Sequence, residues 1–171
     1  ALVSGGAPLT PEVGIFFQSL GVTFLQGYGQ TEAAPVVSFL EAKFHVAGGT
    51  KLTSAGRPAY GVEVVVMDEN DVEAPRGTVG EICARGLNVM RGYWGMEEQS
   101  RETLRNGWLH TGDLGYMDEE GFIFLVDRAK DMIISGGENI YSPEVERVLS
   151  EHPAVAEVAV IGIPDDQWGE A

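Results

Sequence analysis

Apolar and polar residues alternate along this chain in short runs that predict strands more often than helices. The apolar runs have strand length and are separated by glycine, proline and aspartate, a pattern typical of short β-strands joined by turns. We predict strands at residues 2–3, 22–25, 62–68, 77–84, 122–126 and 155–163.

Two stretches carry helix-start signals instead. Thr10 precedes Pro11, and Ser142 precedes Pro143, which is the order of an N-cap residue and a first-turn proline. The apolar face of the first helix is predicted to consist of Val13, Phe16, Phe17 and Leu20.

The order of these elements predicts a chain of α/β and α+β class in two domains. Residues 1–127 form the first domain, with an α/β portion at 1–50 and a β-rich portion at 51–127. The short strands of the second portion indicate a small antiparallel or barrel-like sheet. We place the boundary at residues 128–131, because strands precede it and an α+β unit at 132–171 follows it.

The segment from residue 107 to 141 concentrates chemistry that a linker would not need. Asp118 to Gly121 predicts a tight turn, since glycine tolerates positive φ, with antiparallel strands on both sides. Asp113 and Arg128 then lie on strand ends that can face each other. A carboxylate accepts hydrogen bonds from vicinal hydroxyls, and a planar guanidinium donates to hydroxyl, phosphate or carboxylate oxygens.

A second cluster, residues 26–32, is expected at the carboxyl end of a strand, where ligands bind in open α/β sheets. Its glycines allow a tight loop around Tyr28, an aromatic ring that can stack on a base. Thr31 can reach a phosphate oxygen or merely cap a helix. Glu32 offers an oxygen ligand to Mg²⁺, which usually takes one or two carboxylates together with substrate phosphates.

Two further features can be explained by a structural role as well as by a functional one. The loop at Gly5 and Gly6 lets the backbone approach a flat ligand, or is a plain strand-to-helix turn. His45 is isolated and is expected on the surface or in loop packing.

Composition and charge exclude several function classes. The 11 basic and 26 acidic residues give a net charge of −15, and no Lys/Arg cluster could neutralise a nucleic-acid backbone. No apolar run approaches the roughly 20 residues of a membrane span and no signal peptide opens the sequence, so we expect a cytoplasmic protein without a transmembrane segment. Cys83 is the only cysteine, which argues against a disulfide within the chain and a thiolate metal site.

Four motifs in this order resemble the adenylate-forming superfamily of acyl-CoA synthetases, peptide-synthetase adenylation domains and luciferases. They are SGGAPL (4–9), GYGQTE (27–32), GEICARGLNVMRGYW (80–94) and the run from TGD (111–113) to SGGENIY (135–141). One such motif alone is weak, whereas four in the family order are specific. The resemblance also implies that the family's phosphate loop lies before Ala1 and its adenylation lysine after Ala171, the chain being a piece of a longer protein.

The resemblance assigns roles to individual residues. It implies that Tyr28 flanks adenine, that Thr31 contacts the α-phosphate, and that Glu32 holds Mg²⁺. Lys130 matches the hinge on which the small domain rotates, although an ordinary ion pair with Asp127 or Asp131 is the alternative. The implied nucleotide-binding set is Gly6, Ala7, Pro8, Gln26, Gly27, Tyr28, Gly29, Gln30, Thr31, Asp113 and Arg128, and the implied CoA-binding set is Ser135, Gly136 and Gly137.

The implied function is an AMP-forming carboxylate–CoA ligase with ATP, Mg²⁺ and coenzyme A as co-substrates or cofactors. The loop at Ile134 to Ile140 is similar to that of acyl-CoA synthetases, and Ala33 to Val37 is similar to fatty-acyl-CoA ligases, so a fatty acid is the expected substrate. The alternatives are a nucleotide-binding module without catalysis and an adenylating enzyme that passes the acyl group to a carrier other than CoA.

Overall fold

The computed structural model describes residues 2–6 and 9–171. These residues form a mixed α/β structure with three small four-stranded sheets and three short α-helices. The fold class expected from the sequence is therefore confirmed.

The first sheet carries the amino-terminal motifs. It consists, in spatial order, of β1 (Leu2–Ser4), β2 (Phe24–Tyr28), β3 (Ser38–Leu40) and β4 (Arg57–Pro58). β1 pairs parallel with β2, whereas β2 pairs antiparallel with β3 and β3 pairs antiparallel with β4. The connection from β1 to β2 runs through α1 (Pro11–Ser19), as a parallel pair requires.

Helix α1 begins where the sequence predicts but packs through a different face. Thr10 is the N-cap residue and Pro11 the first helical residue. The predicted apolar face is wrong for three of its four members, because Val13, Phe16 and Leu20 are exposed. Contact is made by Phe17, which stacks on Phe24, and by the buried Gly14, where an added Cβ would lie 3.6 Å from the His45 ring.

The second sheet is open. Its spatial order is β5 (Val62–Met67), β6 (Gly80–Gly86), β7 (Leu109–Met117) and β8 (Ile123–Arg128), with β5 and β8 at the edges. β5 and β6 pair antiparallel from Val62↔Gly86 to Met67↔Glu81. Of the two predicted forms, an antiparallel and a barrel-like sheet, the barrel-like one is wrong for the described residues. Helix α2 (Glu97–Thr103) lies between β6 and β7 in the chain.

The main hydrophobic core is built on this sheet. Val64 and Val66 alternate toward it from β5 and Ile82 and Ala84 from β6, as expected of strands with one buried face. The core also includes Ala33, Val37, Ala55, Leu109, Met117 and Ile123.

The turn between β7 and β8 has the predicted form. Gly121 has φ of +81°, and the Asp118 Oδ1 atom accepts hydrogen bonds from the backbone N–H groups of Glu120 and Phe122, each at 2.9 Å. Lys51 binds the Asp118 carboxylate at 2.5 Å and that of Glu120 at 2.7 Å. The turn is therefore also held by a residue from a distant part of the chain.

The third sheet and one helix occupy the carboxyl-terminal part. The sheet contains β9 (Ile133–Ser135), β10 (Glu138–Ile140), β11 (Pro164–Asp165) and β12 (Gly169–Glu170) in the spatial order β10-β9-β12-β11. Helix α3 is Ser142–Ser150, and its N-cap residue is Tyr141. The prediction of Ser142 as N-cap is therefore wrong by one residue, and the backbone N–H of Ser142 is bound instead by the Asp127 carboxylate at 3.0 Å.

The strand predicted at residues 155–163 is wrong. Exposure still alternates from residue 158 to 163, but these residues belong to no sheet. In this part Val160 donates its N–H to the Glu146 side chain at 2.9 Å, and Ile163 exchanges two hydrogen bonds with Ala171. Alternation alone therefore predicted a strand where the described part of the chain supplies no partner strand.

The chain divides into two compact units. The first comprises Ala1–Thr111 and Gly115–Leu125, and the second comprises Gly112–Leu114 and Val126–Ala171. The assignment of 1–127, 128–131 and 132–171 as domain, hinge and domain stays a prediction. Within the described part of the chain, helices are too short or too polar to cross a membrane.

Candidate functional site

The glycine loop after β1 is only partly described. Gly6 is exposed with φ of +85°, a conformation that glycine adopts without strain. Ala7 and Pro8, the other predicted nucleotide contacts here, lie outside the described residues. An added Cβ on Gly5 would be 3.1 Å from the Gly27 carbonyl oxygen, so this loop lies against β2.

The next predicted contacts belong to a strand and not to the loop after it. Gln26, Gly27 and Tyr28 are the last three residues of β2 and pair with Leu40, Phe39 and Ser38 of β3. This is a correction of the expected strand end at residue 25. Gly27 packs closely against β3, because an added Cβ would lie 3.3 Å from the Phe39 ring.

Gly29 and Gln30 make the turn that follows. A Cβ on Gly29 would lie 1.8 Å from the Pro35 carbonyl oxygen, so only glycine fits between these backbone segments. Gln30 is the residue before a 3₁₀ turn, Thr31–Ala33, and its carbonyl accepts the Ala33 N–H at 2.9 Å.

Thr31 does not act as a helix cap. It is the first residue of the 3₁₀ turn, no side chain caps that turn, and Thr31 is exposed. The capping alternative is therefore excluded. At this exposed turn the hydroxyl can donate to an anionic oxygen.

Glu32 is held by hydrogen bonds to both its side chain and its backbone. Its Oε1 atom accepts a hydrogen bond from the Tyr93 hydroxyl at 2.7 Å, and its carbonyl accepts the Met90 N–H at 2.8 Å. The hydrogen bond to Glu32 raises the pKa of Tyr93, and a second bond with the Thr103 side chain opposes that shift. Tyr93 therefore remains a protonated donor at neutral pH.

The residues here fit a magnesium ion bound together with phosphate. Glu32 is half-buried, and among the described residues its Oε2 atom accepts no hydrogen bond. One half-exposed carboxylate oxygen is a typical protein contribution to Mg²⁺, whose other ligands are water and substrate phosphate.

Asp113 and Arg128 are brought together as expected, although Asp113 lies in the middle of β7 and not at its end. The Asp113 Oδ1 atom is 3.7 Å from Nε of Arg128, whose side chain is 63% exposed while that of Asp113 is 20% exposed. Beside them, the Ala129 N–H donates to the Gly112 carbonyl at 2.8 Å. A half-buried carboxylate next to an exposed guanidinium suits a ligand with vicinal hydroxyl groups.

Lys130 is exposed and lies in a turn after β8. Among the described residues it forms no ion pair, so the predicted alternative of pairing with Asp127 or Asp131 is not found. Asp127 uses its oxygens for the backbone N–H groups of Arg128, at 2.7 Å, and Ser142, at 3.0 Å. The hinge role of Lys130 stays a prediction.

The predicted CoA-binding residues form a tight hairpin. Ser135 ends β9 and pairs with Glu138 of β10, and Gly136 and Gly137 between them have φ of +60° and +89°. A Cβ on Gly136 would lie 2.7 Å from the Trp168 ring, and the Gly136 N–H donates to the Trp168 carbonyl at 2.8 Å. The two glycines are exposed and leave backbone accessible to a ligand.

A cluster that sequence reasoning missed lies on β6 and β7. The carboxylate of Glu81 is 2.8 Å from Nδ1 of His110, which is 3.4 Å from Sγ of Cys83. Arg105 lies 3.4 Å from Glu81 and binds Asp71 through two nitrogens. Alternate residues of one strand face the same side, which relates Glu81 to Cys83, but no local signal points to His110.

This cluster contains potential metal ligands, since the donor atoms of Glu81, Cys83 and His110 lie within 4.8 Å of one another. The single cysteine therefore has more potential partners than the sequence indicated. Its surroundings oppose a divalent cation, however, because Arg105 already supplies positive charge. Burial raises the pKa of Cys83 to about 12, which disfavours the thiolate.

Family models match both ends of the chain. Residues 1–94 match the AMP-binding enzyme model, and residues 144–171 match the model of the AMP-binding enzyme C-terminal domain. The chain belongs to the AMP-binding enzyme family.

Individual relatives of this AMP-binding chain cover almost all of it. A feruloyl-CoA synthase of Amycolatopsis sp is 48% identical over 99% of this chain and 34% of its own length. A medium/long-chain-fatty-acid–CoA ligase of Mycobacterium tuberculosis is 47% identical over 88% of this chain and 26% of its own length.

A solved structure is also similar. The o-succinylbenzoate CoA synthetase of Bacillus subtilis with its acyl-adenylate intermediate has a TM-score of 0.87 and 41% identity over 98% of this chain and 34% of its own. The same synthetase with ATP and magnesium ion has a TM-score of 0.85 and 40% identity over 97% of this chain and 34% of its own. The chain thus spans about a third of the length of the feruloyl-CoA synthase and the succinylbenzoate synthetase, and about a quarter of that of the fatty-acid ligase.

Proposed function

We propose that the full-length protein containing this chain is an ATP-dependent carboxylate–CoA ligase. The substrate carboxylate attacks the α-phosphate of ATP, pyrophosphate leaves, and the thiol of coenzyme A attacks the acyl carbon of the adenylate and releases AMP. The observation that carries this proposal is the similarity of nearly the whole chain to CoA ligases, including a synthetase solved with its acyl-adenylate.

The first step joins two anions, so the protein must supply cations and fixed donors where charge develops. We assign Thr31 as a donor to the α-phosphate and Glu32 as the protein ligand of Mg²⁺. Mg²⁺ bound there would offset phosphate charge. The exposure of Thr31 and the open Oε2 atom of Glu32 support both assignments.

We assign Asp113 to the ribose hydroxyls, with Arg128 beside it. The 20% exposure of Asp113 favours a stable hydrogen bond, because the carboxylate is shielded from water, while the 63% exposure of Arg128 leaves its guanidinium accessible. Tyr28 and its neighbours on β2 are assigned to the adenine.

For the thioester step we assign the Ser135–Gly137 hairpin to coenzyme A and Lys130 to the hinge. The exposed glycine backbone of the hairpin supports the first assignment. The position of Lys130 in an exposed turn after β8 supports the second, since a backbone there can change its φ and ψ without disturbing a core.

We propose a fatty acid as the substrate, on the similarity of residues 33–37 to fatty-acyl-CoA ligases and the fatty-acid ligase among the relatives. The relatives also include a feruloyl-CoA synthase, so aromatic acids are the competing class. These acids differ in shape, and a panel separates them directly.

The test is pyrophosphate release by the full-length protein with fatty, hydroxycinnamic and succinylbenzoic acids, each with and without coenzyme A. We expect release with one acid class and a matching acyl-CoA by mass spectrometry. A different preferred acid class contradicts only the fatty-acid assignment. Adenylation without thioester formation contradicts the CoA assignment, and no release with any acid contradicts the ligase proposal.

A further inference from the structure

The backbone around Glu32 is held by a second segment of the chain, residues 86–94. The Asn88 side chain donates hydrogen bonds to the carbonyls of Ala33, at 2.8 Å, and Val36, at 2.9 Å. The Met90 N–H donates to the carbonyl of Glu32 at 2.8 Å. The position of the Glu32 backbone is therefore fixed without any ligand.

Tyr93 extends this attachment to the carboxylate. Its hydroxyl donates to Oε1 of Glu32 at 2.7 Å, and the Tyr93 N–H donates to Oγ of Ser100 at 2.8 Å. Ser100 in turn donates to the Met96 carbonyl at 2.7 Å. Gly92, whose φ is +147°, has Ser100 Oγ 3.0 Å from the position of a Cβ, so the backbone before Tyr93 closely approaches the same serine.

The two oxygens of Glu32 thus differ in the described structure. Oε1 is occupied by the tyrosine hydroxyl, whereas Oε2 has no such partner. A glutamate side chain on the surface exchanges among rotamers, and one fixed oxygen selects among them. The tyrosine is therefore placed to decide which way the second oxygen points.

We propose that Tyr93 is a positioning residue for Glu32, holding Oε1 so that Oε2 is presented to the divalent cation that accompanies the nucleotide. The inference rests on the proposed function, because it takes Glu32 as the magnesium ligand. Partners that orient a metal ligand typically change metal affinity or activity by about 10- to 100-fold when they are removed.

The substitution Tyr93→Phe should fold normally. Tyr93 lines an open groove of about 570 Å³ together with Arg91 and Arg101, and both Tyr93 and Glu32 are half-buried. Water can replace the lost hydroxyl at Oε1, so the variant leaves no buried carboxylate without a partner.

The first test measures pyrophosphate release by full-length protein against free Mg²⁺. For Tyr93→Phe we expect half-maximal activity at an Mg²⁺ concentration about 10-fold higher than for the parent protein, with kcat largely restored at saturating Mg²⁺. The matched control is Tyr116→Phe, which also removes one hydroxyl but keeps a ring stacked on Phe124 at 4.9 Å. We expect this control to match the parent protein.

The second test does not depend on turnover. Binding of Mn²⁺ in the presence of a non-hydrolysable ATP analogue is followed by water-proton relaxation, and we expect about 10-fold weaker binding for Tyr93→Phe only. Unchanged Mg²⁺ and Mn²⁺ dependence in this variant would overturn the proposal, whether or not its melting temperature falls. Suppose that the parent protein releases pyrophosphate, that Glu32→Gln abolishes this release, and that Tyr93→Phe still has unchanged metal dependence. That combination contradicts the role of Tyr93 and leaves the proposed function standing. An inactive parent protein contradicts the proposed function instead.

Discussion

At the scale of single residues, the most specific proposal is that Asp113 binds the ribose hydroxyls of the nucleotide. Its carboxylate is largely shielded and lies 3.7 Å from Arg128. A contact with ribose hydroxyls would be made equally to ATP and to the adenylate, so it contributes uniform binding and not transition-state stabilisation.

Asp113→Ala should therefore raise the KM for ATP more than it lowers kcat. Hydrogen bonds to charged groups contribute roughly 1.5–3 kcal/mol, and we expect KM to rise by about 10- to 100-fold. The measurement is steady-state pyrophosphate release by the full-length protein at varied ATP.

Glu69→Ala is the control, because it removes an exposed carboxylate in the turn after β5. We expect its ATP KM to stay that of the parent protein. An unchanged ATP KM in Asp113→Ala would contradict the assignment of Asp113 to the ribose hydroxyls.

Residue-scale features were predictable from the sequence where they are local. Thr31 and Glu32 are adjacent in one motif, and the turn at Asp118 to Gly121 follows from the φ that glycine allows. Tyr93 was not predictable as the partner of Glu32, because the two are separated by 61 positions. The contact of His110 with Glu81 was missed for the same reason, since the two residues are 29 positions apart.

At the scale of elements, the approach of Gly56 to strand β3 sets a tight steric limit. Gly56 is buried with φ of +84°, and an added Cβ would lie 1.9 Å from the Phe39 carbonyl. It also bridges to Ile123 of β8. Any side chain at position 56 would have to displace the backbone of β3, since a change of side-chain rotamer in a neighbour would not make room for it.

Gly56→Ala should lower the melting temperature of the full-length protein clearly more than Gly77→Ala. Gly77 has nearly the same φ, +81°, but nothing within 4 Å of an added Cβ. Both changes cost about 1–2 kcal/mol for the left-handed conformation, and overpacking adds about 1–3 kcal/mol at Gly56 only. Equal shifts would contradict the close approach of β3.

Elements were predictable where their boundaries carry turn chemistry, and less so elsewhere. The strands at β5, β6 and β8 appear close to the predicted positions. Strand β3 is not among the predicted strands, and residues 155–163 have strand alternation without a strand. Pairing depends on a partner far along the chain, which a local pattern cannot supply.

The proposed hinge also belongs to this scale. Proline fixes φ near −65° and restricts the residue before it, so Lys130→Pro should hold the turn near one arrangement. We expect one half-reaction to fall by about 100-fold or more and the other to survive. Acyl-adenylate formation and thioester formation from supplied adenylate are assayed separately in the full-length protein.

Lys130→Ala is the control, since a hinge needs backbone freedom and not this side chain. We expect it to impair each half-reaction far less than the proline variant does. Equal and modest losses in both steps for Lys130→Pro would argue against the hinge.

At the scale of the whole molecule, family membership and the described residues support the proposed acyl adenylation. Membership follows from the matched models, and the motifs that carry it were recognisable in the sequence. The acid remains the least predictable part, since the relatives of similar identity include ligases for both aromatic and fatty acids.

The most direct test of the ligase proposal follows the oxygen atoms of the acid. The full-length protein is incubated with ATP, coenzyme A and a substrate acid carrying ¹⁸O in both carboxyl positions, and the products are analysed by mass spectrometry. If the carboxylate attacks the α-phosphate and the thiol then displaces AMP, the AMP carries one ¹⁸O and the thioester keeps the other. Formation of ADP with ¹⁸O in inorganic phosphate, or of AMP without ¹⁸O, would contradict the account.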